Sequence, residues 1–175
     1  YPVLSIHGQF HMWLPMHGFV SEETIFLRPD PDTTITDPGN GLMPATVSTF
    51  NHSNNSIYIH SSRGYTRDGQ IKPDLAAPGV RVQGPAIQTE KEAETKTPVL
   101  TWRTGSSVAA AITAGAAAVL LSWGITGGND KTLTSTSLKA ILIRGADRNP
   151  GFSWPNRQWG FGMLNLYQSF LQMRE

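Results

Sequence analysis

The sequence predicts an α/β layered fold, and three observations carry that prediction. Short runs rich in Val, Ile, Thr and Phe are bounded by Pro, Gly, Asn and Asp, as strands are. One long Ala-rich segment, Ser106 to Leu121, is apolar on every face, which is the pattern of a helix covered on all sides. Charge is sparse: 14 basic and 13 acidic residues make up 15% of the 175-residue chain, against ~25% in an average domain. Strands mixed with buried helices stack into layers. The same composition excludes a coiled coil, a solvated helical bundle and a disordered tail. A net charge of +1 gives no reason to expect a nucleic acid or an anionic membrane as partner. The absence of cysteine excludes disulfide frameworks, thiolate zinc clusters and thiol nucleophiles. The longest apolar stretch, Val108 to Trp123, has sixteen residues, short of the ~20 that span a bilayer.

Taken in order, Gln9 to Leu14 alternates Phe10, Met12 and Leu14 with His11 and Trp13 and reads as a short strand. Pro15, Gly18 and the run Pro29 to Asp32 mark loop or extended chain. Asp37-Pro38-Gly39-Asn40-Gly41 is a dense turn signal. Ala45 to Phe50 fits a buried strand, and Asn51 to Asn55 a loop that turns it back into a second strand, Ser56 to His60. Ile71 to Val80 is extended chain bounded by Pro73 and Pro78, and another strand begins between Val80 and Val82. Gln88 to Thr97 is polar and reads as an exposed loop or hairpin. The Ala-rich helix then starts after Gly105 and is expected to end at Gly124 and Gly127-Gly128. Ser135 to Gly145 carries Leu138, Ile141 and Leu142 at helical spacing, and Leu164 to Met173 forms a terminal helix.

Few residues invite chemistry. The five histidines, His7, His11, His17, His52 and His60, show no ligand spacing, so neither a metal nor another cofactor is expected. Asp30 and Asp32 lie in a Pro-rich loop and read as turn residues. Gly127-Gly128-Asn129 lacks the Lys of a phosphate loop. What remains is Gly105-Ser106-Ser107 at the start of the Ala-rich helix. A serine there has unpaired backbone N–H groups and the positive end of the helix dipole beside it, which suits a nucleophile whose attack creates an oxyanion. The competing reading makes Ser106 or Ser107 a helix cap and nothing more.

The segment Gly105-Ser106-Ser107-Val108-Ala109-Ala110-Ala111-Ile112-Thr113-Ala114-Gly115 resembles the nucleophile box of subtilisin-like serine proteases, Gly-Thr-Ser-Met-Ala-Ala-Pro-His-Val-Ala-Gly. Ser61-Ser62-Arg63-Gly64 and Ile71-Lys72-Pro73-Asp74-Leu75-Ala76-Ala77-Pro78-Gly79 resemble two upstream signatures of that family. Trp159-Gly160-Phe161-Gly162-Met163-Leu164-Asn165 resembles its closing segment. Ala111-Ile112, with Trp13-Leu14-Pro15 and the Phe26 to Thr34 stretch, is similar to the clostridial germination-protease branch, in which a jelly-roll domain is inserted ahead of the serine segment.

The resemblance implies the C-terminal part of a three-layer fold with a mostly parallel sheet and a buried Ala-rich central helix. Residues 1–32 would be a linker and the tail of the inserted domain, and residues 33–175 the serine-bearing part of the catalytic domain. It implies a serine endopeptidase with Ser107 as nucleophile, with Trp102, Arg103 and Thr104 lining the leaving-group side of the cleft. Asp74 and Arg63 would be architectural, and the Asp37–Pro38 bond cis. The family's Asp-Ser/Thr-Gly and His-Gly-Thr-His boxes do not occur in this sequence. The expected partners are therefore a peptide or protein substrate and the N-terminal half of the same domain, or a second copy. A pseudoprotease that binds or scaffolds is the alternative. Tyr1 in place of Met indicates a chain that begins inside a longer gene product, secreted or cell-surface by the resemblance.

Overall fold

The structure, a computed structural model, describes residues 11–15, 18–87 and 99–174. The chain divides into two compact units, Tyr1–Asp30 and Pro31–Glu175. In the first unit, residues 11–15 carry no regular structure, although the alternation over Gln9 to Leu14 suggests a strand. Residues 9 and 10 lie outside the described residues, and no strand is present among the described residues of this unit. Alternation alone does not hold a strand without a neighbour to bond. Beyond it, Ser21 closes a turn, its carbonyl accepting from Thr24 N at 2.9 Å and its hydroxyl from Glu23 N at 3.3 Å.

The second unit contains the strands β1 (Val47–Asn51), β2 (Ser56–Ile57), β3 (Leu75–Pro78), β4 (Val82–Pro85) and β5 (Leu100–Arg103). Its helices are α1 (Ser106–Leu121), α2 (Ser135–Arg144) and α3 (Leu166–Leu171). One sheet has the order β2-β1-β3, and β4 and β5 form a separate antiparallel pair. β1 and β3 run parallel, with Val47 opposite Leu75 and Phe50 opposite Pro78. β1 and β2 are the expected hairpin, with Phe50 opposite Ile57. The closing segment seals the far side of β3: Ala76 N donates to Gly162 O at 2.9 Å, and Leu164 N to Ala76 O at 2.8 Å. Paired on both sides, Leu75, Ala76 and Ala77 are almost wholly buried, as residues of a central parallel strand are.

Helix α1 packs on β1 and β3. Its buried residues, Ala109, Thr113, Ala116 and Leu120, recur every three or four positions and form one stripe. Ala110, Ala111, Ala114, Gly115 and Ala118 are exposed, and Val119 is 56% exposed. The sequence predicts cover on every face; among the described residues the stripe facing the sheet is buried, Ala117 and Leu121 are partly buried against the main core, and one face stays exposed. Of the two expected stops the helix passes the first and ends at the second, with Gly127 as its cap. It passes through Gly124 in a π-helical turn, Ser122–Thr126. Gly124 is buried there because Leu133 lies where its side chain would stand, Cδ2 at 3.1 Å from the Cβ position. The 21-residue helical stretch Ser106–Thr126 contains an 18-residue window of mean hydropathy 1.9 and is long and apolar enough to cross a membrane. A core helix of a globular fold has the same length and composition, and the packing of α1 on two parallel strands is of that kind.

Leu75, Leu120, Leu133, Leu138, Leu142 and Ala146 form the main core, which joins β3, α1 and α2. α2 starts at Thr134, whose hydroxyl and the Ser137 side chain cap each other's backbone N–H groups. α3 is shorter than the predicted Leu164 to Met173, because Asn165 is its cap and accepts from Gln168 N at 3.0 Å. The Gln88 to Thr97 segment lies outside the described residues.

Beneath the main core's rim lies a buried charge network. Lys72 Nζ is 2.7 Å from Asp74 Oδ2 and donates to Pro44 O at 2.7 Å. Thr46 N donates to the same carboxylate oxygen at 2.7 Å, and Lys139 Nζ stands 3.8 Å from Asp74 Oδ1. Asp74 thus ties the entry of β1 and the entry of β3 to α2, which makes it architectural, as the resemblance implies. Removing one partner of a buried pair strands the other's charge, at about 3–5 kcal/mol. Asp74→Ala should therefore lower the urea unfolding free energy of the chain by about that amount. A change within ~0.5 kcal/mol, the size of an ordinary surface substitution, would contradict the role given to this network.

Candidate active site

The serine segment is positioned by two glycines. Gly79 follows β3, donates to Phe50 O at 3.1 Å and accepts from Gly105 N at 2.8 Å. A Cβ at Gly79 would stand 2.6 Å from Thr49 Cγ2, 2.8 Å from Gly105 O and 3.2 Å from Ala109 Cβ. Only a residue without a side chain lets the start of α1 approach the sheet this closely. Gly105 itself has φ 156° and ψ 162°, a conformation open essentially to glycine alone. There the chain turns from β5 into α1.

Gly105 occupies the cap position, and no side chain caps the helix. Ser106 and Ser107 are therefore the first two helical residues, and the cap reading of them falls away. Both are exposed. The first intrahelical bonds run from Val108 N and Ala109 N to Gly105 O, at 3.1 and 3.4 Å. Among the described residues no acceptor meets the N–H groups of Ser106 or Ser107, and no hydrogen bond engages the Ser107 hydroxyl.

Ser106 and Ser107 line a cleft of about 410 Å³. The 35–39 segment also lines it, as do Ser61 and Ser62. The Asp37–Pro38 bond is cis, as expected. Ser61 is spoken for structurally, its hydroxyl accepting from Thr49 N at 3.0 Å. No histidine lines the cleft among the described residues: His52 and His60 are exposed on and after the β1–β2 hairpin, and His11 lies in the first unit. No three His, Asp or Glu side chains among the described residues are placed to hold a metal ion.

Trp102 and Arg103 are on β5, which leads straight into Gly105, and both are exposed, as is Thr104. The Thr104 hydroxyl accepts from Arg81 N at 2.9 Å, so this residue also holds β4's entry against the serine segment. Arg81 was invisible to sequence reasoning. It lies with its Cζ 5.9 Å from the Trp102 ring centroid, and no motif marks it. The only sequence signal is its place two residues after Gly79, a link that the Gly79–Gly105 bond alone reveals. Arg63, in contrast, contributes mainly backbone: its carbonyl accepts from Thr34 N and its N–H donates to Thr34 Oγ1, each at 2.9 Å.

Residues 27–162 match the Subtilase family. The chain belongs to this family of peptidases. The serine helix, the cleft beside it and the buried parallel strand β3 are thus parts of a subtilisin-like fold. Among solved structures, the CspB protease of Clostridium perfringens is similar over 87% of this chain, with 31% identity and a TM-score of 0.77. The patellamide maturation protease PatA is similar over 82%, with 21% identity and a TM-score of 0.60. Fervidolysin of Fervidobacterium pennivorans, a keratinolytic enzyme related to subtilisin, is similar over 77%, with 20% identity and a TM-score of 0.59. The last two share the fold. This chain spans 31% of the CspB chain, 48% of PatA and 20% of fervidolysin. No curated protein sequence matches it significantly.

Overpacked sites lose about 1–3 kcal/mol, so Gly79→Ala should lower the unfolding free energy of the chain by that amount. Gly115, with nothing within 4 Å of its Cβ position, is the control: Gly115→Ala should stabilise by up to ~1 kcal/mol through helix propensity. Equal effects of the two substitutions in thermal unfolding would contradict the close approach at Gly79.

Proposed function

We propose that this chain is the serine-bearing part of a serine endopeptidase and that Ser107 is its nucleophile. One observation carries the reading: Ser107 is exposed on the first turn of α1, at the edge of the cleft, beside backbone N–H groups that have no acceptor among the described residues. In the reaction so assigned, Ser107 Oγ attacks the carbonyl carbon of the scissile peptide as a base takes its proton. The oxygen of that carbonyl becomes an oxyanion, which accepts from the Ser107 N–H and gains from the helix dipole. The tetrahedral intermediate expels the amine, and water then releases the acyl group from Ser107. Trp102, Arg103 and Thr104 flank the leaving amine, and the 35–39 segment receives the substrate on the other side of the bond.

The base is not among the histidines that line this cleft, for there are none among the described residues. A serine hydroxyl without a base is almost wholly protonated and a weak nucleophile. The proposal therefore assigns the Asp, the His and the second oxyanion donor to the N-terminal half of the domain. The exposed face of α1 supports that half as partner: Ala110, Ala111, Ala114, Gly115 and Ala118 are small and admit close packing, and leaving apolar surface of that extent bare is unfavourable. The second reading is a pseudoprotease that binds without cleaving.

Casein and peptide hydrolysis separates the two. The 175-residue chain alone should show no turnover. The protease completed by its Asp- and His-bearing half should cleave, and Ser107→Ala in that protein should lower kcat on the order of 10⁴-fold or more. A completed protein that never cleaves would favour the binding reading, and turnover that survives Ser107→Ala would remove Ser107 as nucleophile. In sedimentation, the chain alone should self-associate or bind the N-terminal half through α1. A monomer that ignores that half would count against the partner.

A further inference from the structure

The cleft beside Ser107 and the β4–β5 hairpin differ in charge. On the cleft side the lining mixes Ile35, Pro38, Ala45 and Val47 with the uncharged polar residues Thr36, Thr46, Ser61 and Ser62, and Asp37 is its single ionisable residue. The β4–β5 hairpin, none of whose residues lines that cleft, leads to Ser107 through Thr104 and Gly105. Its register sets Val82 opposite Arg103, so Arg81 and Arg103 come together at the end of the hairpin where β5 runs into α1. Both are exposed, and neither has a carboxylate within ion-pair distance among the described residues.

Arg81 is held there against its own preference. Its φ is +49°, the left-handed region that long side chains avoid. Two contacts maintain it: its N–H donates to Thr104 Oγ1 at 2.9 Å, and its guanidinium lies over the Trp102 ring at 5.9 Å. Backbone held in an unfavourable region persists only where its surroundings over-determine it, and such residues gather at functional sites. A guanidinium resting on an aromatic face keeps its N–H edges for a carboxylate.

We infer that the hairpin selects acidic residues on the leaving-group side of the scissile bond, with Arg81 and Arg103 as the cations and Trp102 as the platform that orients Arg81. The inference rests on Ser107 as nucleophile and adds a substrate class to that reading.

The test uses the completed protease and three internally quenched peptides, identical up to the scissile bond and carrying Glu-Glu, Ala-Ala or Lys-Lys after it. The expected order of kcat/KM is Glu, then Ala, then Lys. Exposed ion pairs change equilibria about threefold each, so two pairs should set the Glu-to-Ala ratio at about tenfold at low salt, and the Glu-to-Lys ratio should be larger. It should fall towards one in ~1 M NaCl, where the Debye length is ~3 Å. Arg81→Asn, which tolerates the left-handed backbone, and Arg103→Gln should each lower the ratio, and the double variant should bring it close to one. Cleavage with a ratio of one in the parent, or an acidic preference unchanged in the double variant, would overturn the inference and leave the nucleophile assignment standing. Absence of any cleavage, or cleavage that survives Ser107→Ala, would overturn the nucleophile assignment and the inference with it.

Discussion

A single backbone hydrogen bond organises this molecule: Gly105 N to Gly79 O, 2.8 Å. It joins the end of β3 to the start of α1, and it forms only because neither residue carries a side chain. Gly79 also bonds back to Phe50 at the end of β1. The carboxyl ends of both parallel strands and the amino end of the helix therefore meet at one point. That is where ligands sit in open parallel sheets, and where a helix offers unpaired N–H groups. Ser107 is two residues beyond it. The buried Lys72–Asp74 pair supports the same junction from the other end of the strands, by fixing where β1 and β3 begin.

The helix that carries Ser107 is covered on one side and bare on another. Its stripe of Ala109, Thr113, Ala116 and Leu120 is covered by the sheet, and one face stays exposed. A helix apolar all round belongs inside a molecule. The portion of the fold that would cover it is the portion the resemblance credits with the Asp and the His. In the proposed reading, a segment that supplies the Asp and the His would also have this exposed face to pack on. The cleft-facing 35–39 segment and the β4–β5 hairpin, by contrast, are already in place within these residues.

What could be read from the sequence follows from how local each signal is. The limits of α1 were legible, because Ala favours helix and Gly105 marks the start. The β1–β2 hairpin and α2 were legible for similar reasons, turn residues and Leu spacing. The burial of Lys72 was not, since a lysine in a polar, Pro-rich stretch reads as solvated and its partners lie at Pro44 and Asp74. Arg81 was not, because its significance depends on a contact with Thr104, 23 residues away. The strand expected over Gln9 to Leu14 shows the converse: alternation was present, but the described residues 11–15 have no strand. The π-helical turn at Gly124 escaped notice because the space for it is set by Leu133, not by the helix sequence.

The most direct measurement is covalent labelling by a fluorophosphonate, read by peptide mass mapping. Such reagents phosphonylate a serine, its oxygen displacing fluoride at phosphorus, only where the base and the oxyanion donors are assembled. The account predicts a single adduct on Ser107 in the completed protease, and none on the 175-residue chain alone. An adduct on another serine, or equal labelling of Ser107 without the N-terminal half, would contradict it.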